Sequence, residues 1–182
     1  YISRRKKEEL KSMTLTEPSE VSVTTEDCYT LDTMVYPSSF TDMCEDKAFG
    51  HLVLEYADEC KMAGMPQPNW AREMYLNMEG IGVVQCLVLR DMDLNMVGFS
   101  VLLCTVVPHY SELVVTAESL FVTKRHRKGG GGLRIIKAIE GHAKNIGAVG
   151  VLLSAPAEGS LAKVAPRIGY QHASEVFFKG LL

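Results

Sequence analysis

The chain has 182 residues, of which 47% are hydrophobic and 23% are charged. These values are typical of a globular protein and exclude a wholly disordered, collagen-like or disulfide-scaffold chain. The length fits one domain of roughly 150 residues with a tail, and it is too short for two ordinary domains.

The sequence offers no signal for a membrane or for a metal. No apolar run approaches the ~20 residues that cross a bilayer, and the first residues lack the apolar stretch of a secretory signal. The five cysteines are odd in number and contain no Cys-x-x-Cys pair, which argues against a disulfide framework and a zinc site. We therefore expect a cytoplasmic protein with no membrane association and no metal ion.

The first 46 residues differ in charge from the rest of the chain. Residues 1–11 carry five basic and two acidic side chains, whereas residues 12–46 carry eight acids and no Lys or Arg. Such a stretch is typical of an extended or loosely packed segment. We predict an acidic arm with a basic start over residues 1–46, able to contribute a first strand near 21–23, and a domain over residues 47–182. The basic start is compatible with binding to nucleic acid, but a solvated helix end is the commoner reason for such a run.

Helical patterns precede strand patterns in the next part of the chain. Apolar residues recur every three or four positions from Phe49 to Cys60, which predicts an amphipathic helix ending near Gly64. Asn69 can cap a second helix over residues 70–78. β-Branched and apolar residues predict strands, of which the first two form a hairpin, over 83–89, 96–107 and 113–122.

The most informative passage joins the third of these strands to a helix. Four consecutive glycines, Gly129–Gly132, stand directly before the periodic apolar positions that begin at Leu133. Residues without a Cβ let a ligand approach the main chain, and the N–H groups at a helix start attract anions. From Lys124 to Lys137 there are six basic residues and no acidic one, which favours a polyanion. The passage therefore predicts a phosphate-binding turn.

Two common phosphate motifs do not fit this passage. A Walker loop requires Lys and Ser or Thr after its last glycine, but Leu133 follows Gly132. The dinucleotide fingerprint Gly-x-Gly-x-x-Gly requires glycine where Arg134 or Ile135 stands. A flexible linker is a further alternative, but linkers seldom join a β-branched strand directly to a periodic helix.

The pattern that fits is Arg/Gln-x-x-Gly-x-Gly/Ala, which is met by Arg127, Gly130 and Gly132, with Leu120 and Val122 seven and five residues before the arginine. In this motif and in the order of its elements, the stretch from 45 to 182 resembles the GNAT family of acyl-CoA-dependent N-acetyltransferases. The resemblance implies an α/β fold in which helices flank a central, mixed, mostly antiparallel sheet, here with an extended N-terminal arm.

The resemblance extends to the end of the chain. It implies a strand over 148–154, a short helix over 159–165, the pair Gly169-Tyr170 and a last strand over 174–179. We interpret five apolar residues in this part as core positions: Leu152, Leu153, Ile168, Phe177 and Phe178. The His109-Tyr110 turn and the closing Phe-Phe-Lys look most like the small GNAT proteins of tailed bacteriophages, which would place the protein in the bacterial host cytoplasm or in a virion.

The resemblance also implies acetyl-CoA as co-substrate. Its pyrophosphate would lie on the glycine turn, formed by Arg127, Lys128, Gly129, Gly130, Gly131, Gly132 and Leu133. Free main-chain groups on a strand that splays from its neighbour would pair with the pantetheine arm, and the residues concerned are Leu120, Phe121 and Val122.

Acetyl transfer to an amine needs a base for the ammonium proton. The candidate is Glu118, which lies two residues before Leu120 on the predicted strand among apolar neighbours. A solvated strand-edge carboxylate is the alternative reading of Glu118. Weaker candidates for the acceptor side are His109, Tyr110 and Glu55.

One position departs from the family pattern. Many GNAT enzymes use a tyrosine as general acid four residues before the Gly-Tyr pair, where this chain has Ala165; Ser160 and Tyr170 are weak substitutes. The resemblance thus implies an acetyl-CoA-dependent N-acetyltransferase acting on a small-molecule or protein amine, with a homodimer allowed. The alternative is a weakly active or inactive GNAT-fold interaction protein, for instance of a phage particle.

Overall fold

The computed structural model describes residues 33–61, 70–156 and 159–180. Within these residues a five-stranded sheet has its strands in chain order: β1 Met34–Ser38, β2 Val84–Arg90, β3 Met96–Val107, β4 Glu112–Val122 and β5 Gly150–Leu153. The helices are α1 Phe40–Glu45, α2 Phe49–Glu59, α3 Arg72–Gly80, α4 Lys124–Arg127, α5 Gly131–Asn145 and α6 Ser160–Val164, followed by a 3₁₀ turn Ala165–Ile168. The predicted architecture, a mixed sheet flanked by helices, is confirmed.

Strands β1 to β4 pair antiparallel, and β4 pairs with β5 in parallel. Parallel neighbours require a crossover connection, which α4 and α5 provide. The pairing between β4 and β5 runs only from Val114–Gly150 to Ala117–Leu153, whereas β4 continues to Val122. β5 ends at Leu153, so beyond Ala117 β4 has no strand partner on this side among the described residues. A splay between the two strands stays a prediction.

Helices cover both faces of the sheet. On one face α5 buries Ile135, Ile136, Ile139 and Ala143. The apolar period that begins at Leu133 predicted this helix, but Leu133 itself and Ile146 are exposed. On the other face α1, α2 and α3 enclose an aromatic cluster around Phe40 and Phe99, both fully buried. Each large apolar side chain buried in this way contributes about 1.5–3 kcal/mol to folding. None of the helices described is long and apolar enough to cross a membrane.

The segment before residue 47 differs from the predicted arm. Residues 34–45 form β1 and α1, and β1 pairs with β2 over its whole length. Ser39 caps α1 by accepting the N–H of Asp42, while Glu79 of α3 accepts the N–H of Phe40 at 2.6 Å. Phe40 and Met43 are fully buried, and the Asp46 carboxylate, 13% exposed, accepts from Nη1 of Arg90 at 2.9 Å. The described part of this segment is therefore packed into the domain. The predicted strand near 21–23 lies outside the described residues.

The predicted last strand over 174–179 is wrong. Residues 170–180 form neither helix nor strand, and Val176 and Phe177 are 92% and 87% exposed. β5 has four residues, so its outer edge offers few hydrogen bonds to a further strand. The predicted core positions that prove to be exposed are Leu152, Ile168, Phe177 and Phe178, whereas Leu153 packs partly buried against the α5 side of the core.

Candidate active site

The glycine turn connects the end of β4 to α5, and the helix begins at the glycines as predicted. Gly130 has φ 79°, a left-handed conformation that favours glycine. A Cβ on Gly131 would lie 2.8 Å from the carbonyl oxygen of His126, whereas a Cβ on Gly132 would meet nothing within 4 Å. Gly131 is therefore required for packing, while Gly132 leaves open space beside the first N–H groups of α5, which lack acceptors within the helix.

Two side chains support the turn from inside. Arg134 donates from Nη1 to the carbonyl of Gly129 at 2.7 Å and to the Thr33 hydroxyl at 3.1 Å. His126 is buried, and its Nδ1 lies 2.8 Å from the hydroxyl of Thr123. Burial, and after it the charge of Arg125, lowers the pKa of His126. His126 is thus a neutral packing residue near pH 7.

Arg127 links the glycine turn to β4 and α2. Its Nε donates to the main-chain oxygen of Val122 at 2.6 Å, and its Nη2 donates to both carboxylate oxygens of Glu59 at 2.9 and 2.8 Å. The guanidinium carbon lies 5.4 Å from the ring centre of Phe121. Because these contacts occupy the side chain, Arg127 joins β4, α2 and the turn, and the Val122 carbonyl is not free for a ligand. Lys128 and Leu133, on either side of the glycines, are exposed.

Beyond Ala117, the main-chain N–H and C=O groups of successive β4 residues point alternately toward β3 and away from it. The N–H of Thr123 donates to the carbonyl of Val97 on β3, and hydrogen-bonded positions alternate along an antiparallel ladder. This alternation directs the N–H and C=O of Phe121 toward β3, and those of Leu120 and Val122 toward the gap left by β5. The expectation of free groups on all three residues is thus wrong for Phe121 and for the carbonyl of Val122.

Glu118 occupies a β-bulge where β4 leaves β5. Val101 of β3 pairs with Ser119, and Leu102 pairs with Ala117, so Glu118 is an extra residue in β4. A bulge reverses the alternation of side chains. Ala117 packs on the α5 side, whereas Val101, opposite Ser119, belongs to the aromatic cluster on the other side. Glu118 therefore directly follows Ala117, the last residue of β4 that pairs with β5. Bulges are frequent beside active sites.

Tyr75 of α3 holds the Glu118 carboxylate on the aromatic side of the sheet. Its hydroxyl donates to Oε1 of Glu118 at 3.1 Å. Its ring stacks on Phe40, with centroids 4.8 Å apart at 13°, and lies 5.4 Å from Trp70. Burial, followed by the charge of Glu118, raises the pKa of Tyr75 to about 12. The phenol is therefore protonated, and available as a donor, throughout the neutral range.

Tyr56 of α2 is a second phenol near Glu118. Its ring packs edge-on against Phe99 and Phe121, with centroids 5.9 and 6.1 Å apart. Burial raises the pKa of Tyr56, and the charges of Cys60 and then Glu118 raise it further. The sequence analysis missed both tyrosines, because no local signal pairs Tyr75 with a residue 43 positions away.

The weaker acceptor candidates lie elsewhere. The turn with His109 and Tyr110 precedes β4, and six residues of that strand separate it from Glu118, or about 20 Å. Tyr110 is 71% exposed. Glu55 lies on the outer side of α2, where its carboxylate is 3.0 Å from Nε2 of His51. The structure does not bring these three residues to Glu118.

Among the described residues, no hydrogen bond joins the substitutes for the missing tyrosine to Glu118, whose side-chain partner is Tyr75. Ala165 begins the 3₁₀ turn and accepts the N–H of Tyr170 at 3.0 Å. The Tyr170 phenol lies beside α5, where burial and then the charge of Glu140 raise its pKa. Ser160 is exposed at the start of α6. Because α5 covers the opposite face of the sheet, Tyr75 is the phenol that contacts the candidate base.

This chain is similar to known proteins in its structure and not in its sequence. No family model matches the sequence, and no curated protein matches it. Ribosomal-protein-alanine N-acetyltransferase from Brucella melitensis biovar Abortus 2308 superposes with a TM-score of 0.62 and 17% identity, over 81% of this chain and 98% of that one. Glucosamine-6-phosphate N-acetyltransferase from Arabidopsis thaliana superposes with a TM-score of 0.61 and 14% identity, over 81% and 97%.

A third similar structure contains a CoA derivative. It is AAC(6')-Iy in complex with the bisubstrate analogue CoA-S-monomethyl-acetylneamine, with a TM-score of 0.59 and 16% identity, covering 81% of this chain and 97% of that one. At such low identity these similarities establish the fold and not the substrate. Together with the parallel pairing of β4 and β5 and the glycine turn before α5, they show that this chain has the fold of the GNAT N-acetyltransferases.

Proposed function

We propose that the protein is an N-acetyltransferase that moves an acetyl group from acetyl-CoA to an amine. The observation that carries this proposal is the position of Glu118. Its carboxylate stands at the bulge where β4 leaves β5, and the glycine turn follows the end of the same strand. A candidate base and a candidate phosphate site therefore follow one another along the chain: four residues of β4, or about 13 Å, lead from Glu118 to the strand end at Val122, and α4 and the glycine turn come next.

The residues around the gap left by β5 fit acetyl-CoA. The N–H groups at the start of α5 lack acceptors within the helix, and the open space at Gly132 lets an anion approach them. Lys124, 80% exposed, and Lys128 add positive charge beside the turn. The groups of Leu120 and the N–H of Val122 face the gap, where they can pair with the amides of the pantetheine arm.

The chemistry assigned to this chain is proton transfer and charge stabilisation. Glu118 accepts a proton from the acceptor ammonium, and the freed amine attacks the thioester carbonyl. A C–N bond forms, the C–S bond breaks, the newly attached nitrogen loses its second proton to solvent, and the CoA thiolate takes up a proton. A main-chain N–H of β4 at the gap can stabilise the oxyanion that forms on the carbonyl. Ala165 supplies no acid for the thiolate, so we assign that proton to solvent.

The second candidate function is a GNAT-fold binding module without catalysis. Two observations favour it: Ala165 stands where many GNAT enzymes have the acid tyrosine, and the C-terminal segment exposes Val176 and Phe177. Binding to another protein, in a phage particle for instance, would use such an apolar segment. A phage origin, a cytoplasmic location and a homodimer all stay predictions.

The cofactor site is tested by thermal unfolding with acetyl-CoA. A ligand at 100 times its dissociation constant stabilises the native state by about 2.7 kcal/mol. We expect a clear rise in Tm for the wild type and none for Gly132→Asp, in which a carboxylate repels the phosphates. The matched control is Gly141→Asp, because Gly141 also lies on α5 with nothing within 4 Å of its Cβ position. No rise in the wild type contradicts the proposal.

Catalysis is tested by release of the CoA thiol in a screen of amine acceptors. For an acceptor that is turned over, we expect Glu118→Gln to lower kcat by roughly 10²- to 10⁴-fold, because the general base is lost. The control is Glu112→Gln, which changes an exposed glutamate at the start of the same strand. Acetyl-CoA binding without turnover of any amine favours the binding module.

A further inference from the structure

The side chains around Glu118 on the aromatic side of the sheet indicate which acceptor the gap takes. Glu118 and Tyr75 form a hydrogen bond of 3.1 Å, and stacking on Phe40 fixes the Tyr75 ring. Tyr56 enters from α2, and its ring is held edge-on by Phe99. A carboxylate with two phenol rings beside it is the combination that proteins use to bind ammonium groups, through ion pairing and cation–π attraction.

The charge that acts on both phenols is that of Glu118, which raises the pKa of Tyr56 and of Tyr75 in addition to the larger effect of burial. The nearby arginines are paired elsewhere: Arg72 lies 3.4 Å from Glu45, and Arg127 binds Glu59.

We propose that Glu118, Tyr75 and Tyr56 form the acceptor subsite, and that it selects cationic amines over amines that carry a phosphate or a carboxylate. This inference rests on the proposed function. Glu118 attracts the ammonium and then takes its proton, whereas Tyr75 is a positioning residue that orients the carboxylate. An anionic group near the acceptor nitrogen would be repelled by the exposed Glu118 carboxylate, and the nearby Arg72 and Arg127 are already paired with other acids. Solvent weakens this repulsion but does not change its sign.

The test uses three pairs of acceptors that differ in charge: 1,4-diaminobutane with 4-aminobutyrate, lysine amide with glutamate amide, and glucosamine with glucosamine 6-phosphate. We expect turnover only of members that lack an anionic group, or a kcat/KM at least 10-fold higher for them. Equal or higher turnover of the anionic members overturns the inference. The inference is also overturned if none of the six amines is turned over while acetyl-CoA still raises Tm. If acetyl-CoA does not raise Tm, the proposed function itself fails.

Variants of the tyrosines separate positioning from stability. Tyr75→Phe keeps the ring and removes the donor to Glu118, so we expect a several-fold higher KM for the cationic acceptor and a lower kcat. Its Tm shift with acetyl-CoA should be unchanged. Tyr110→Phe, at an exposed site distant from the bulge, should match the wild type. A Tyr75→Phe variant with unchanged kcat and KM overturns the positioning role.

Discussion

Gly131 lies against the main chain of His126, so closely that a Cβ on it would be 2.8 Å from the His126 carbonyl oxygen and 3.0 Å from Cδ2 of Leu89. Gly131→Ala must therefore shift the turn away from the sheet, and we expect a loss of about 1–3 kcal/mol in the free energy of unfolding. Gly132→Ala has open space and gains helix propensity, so it should raise that free energy by about 0.5–1 kcal/mol. Urea unfolding measures both, and equal stability of the two variants would contradict this account.

Arg127 makes two kinds of contact that substitutions can separate. Its pair with Glu59 is partly exposed, at 31% and 30% for the two side chains, so Glu59→Gln should cost less than about 1 kcal/mol. Arg127→Lys also loses the bond from Nε to the Val122 carbonyl and should cost about 1–2 kcal/mol. Chemical unfolding of both variants measures which substitution costs more stability. A greater loss for Glu59→Gln would show that the ion pair, and not the β4 contact, secures the turn.

Two neighbouring buried serines should respond oppositely to alanine. Ser100 is fully buried and donates to the carbonyl of Ser119 at 2.7 Å, so Ser100→Ala should cost about 1–2 kcal/mol. The Ser119 hydroxyl is buried and has no hydrogen-bond partner among the described residues. Ser119→Ala should therefore leave stability unchanged or raise it by about 1 kcal/mol. Destabilisation by Ser119→Ala would reveal an internal water on that hydroxyl.

The free energy of unfolding should fall in alkaline solution, because the folded protein raises the pKa of Cys86 and of Tyr75. Burial, followed by the charge of Glu79, raises the pKa of Cys86 from 9.0 to about 12, and the pKa of Tyr75 rises from 10.0 to about 12. Both groups are neutral when protonated, so the unfolded chain ionises first and the stabilisation is complete below pH 9. It is lost as the pH rises from 9 toward 12.

Urea unfolding between pH 7 and pH 11 measures this loss. Between pH 9 and pH 10, Cys86→Ala should lose less stability than the wild type, because one thiol with a raised pKa is gone, while Cys44, Cys60 and Cys104, whose pKa burial also raises, still contribute. Its lower stability at pH 7, from the smaller side chain, is a constant offset that leaves the slope interpretable. An unchanged slope between pH 9 and pH 10 would show that the Cys86 thiol ionises as readily in the folded protein as in the unfolded chain.

Much of the fold could be predicted from local patterns. The amphipathic spacing before Cys60 and after Leu133 predicted α2 and α5, and the β-branched runs predicted β2, β3 and β4. These signals are readable because one element buries one face against a single core, so the period of the apolar residues reports the geometry. The four glycines likewise predicted the strand-to-helix turn, since the requirement for a missing Cβ is local.

The tertiary structure alone decided the composition of the candidate site. Glu118 is a bulge residue only because β3 and β4 pair in one register, and no property of residue 118 itself specifies that register. Tyr75 meets it because α3 packs across the sheet from β4, and Arg127 turns inward because Glu59 ends the neighbouring α2. The absence of a local signal for distant partners also explains the two wrong predictions, for the segment before residue 47 and for the segment 174–179. Burial of Phe40 and exposure of Phe177 depend on whether a partner surface exists for each, and a partner distant in sequence leaves no trace in the local pattern.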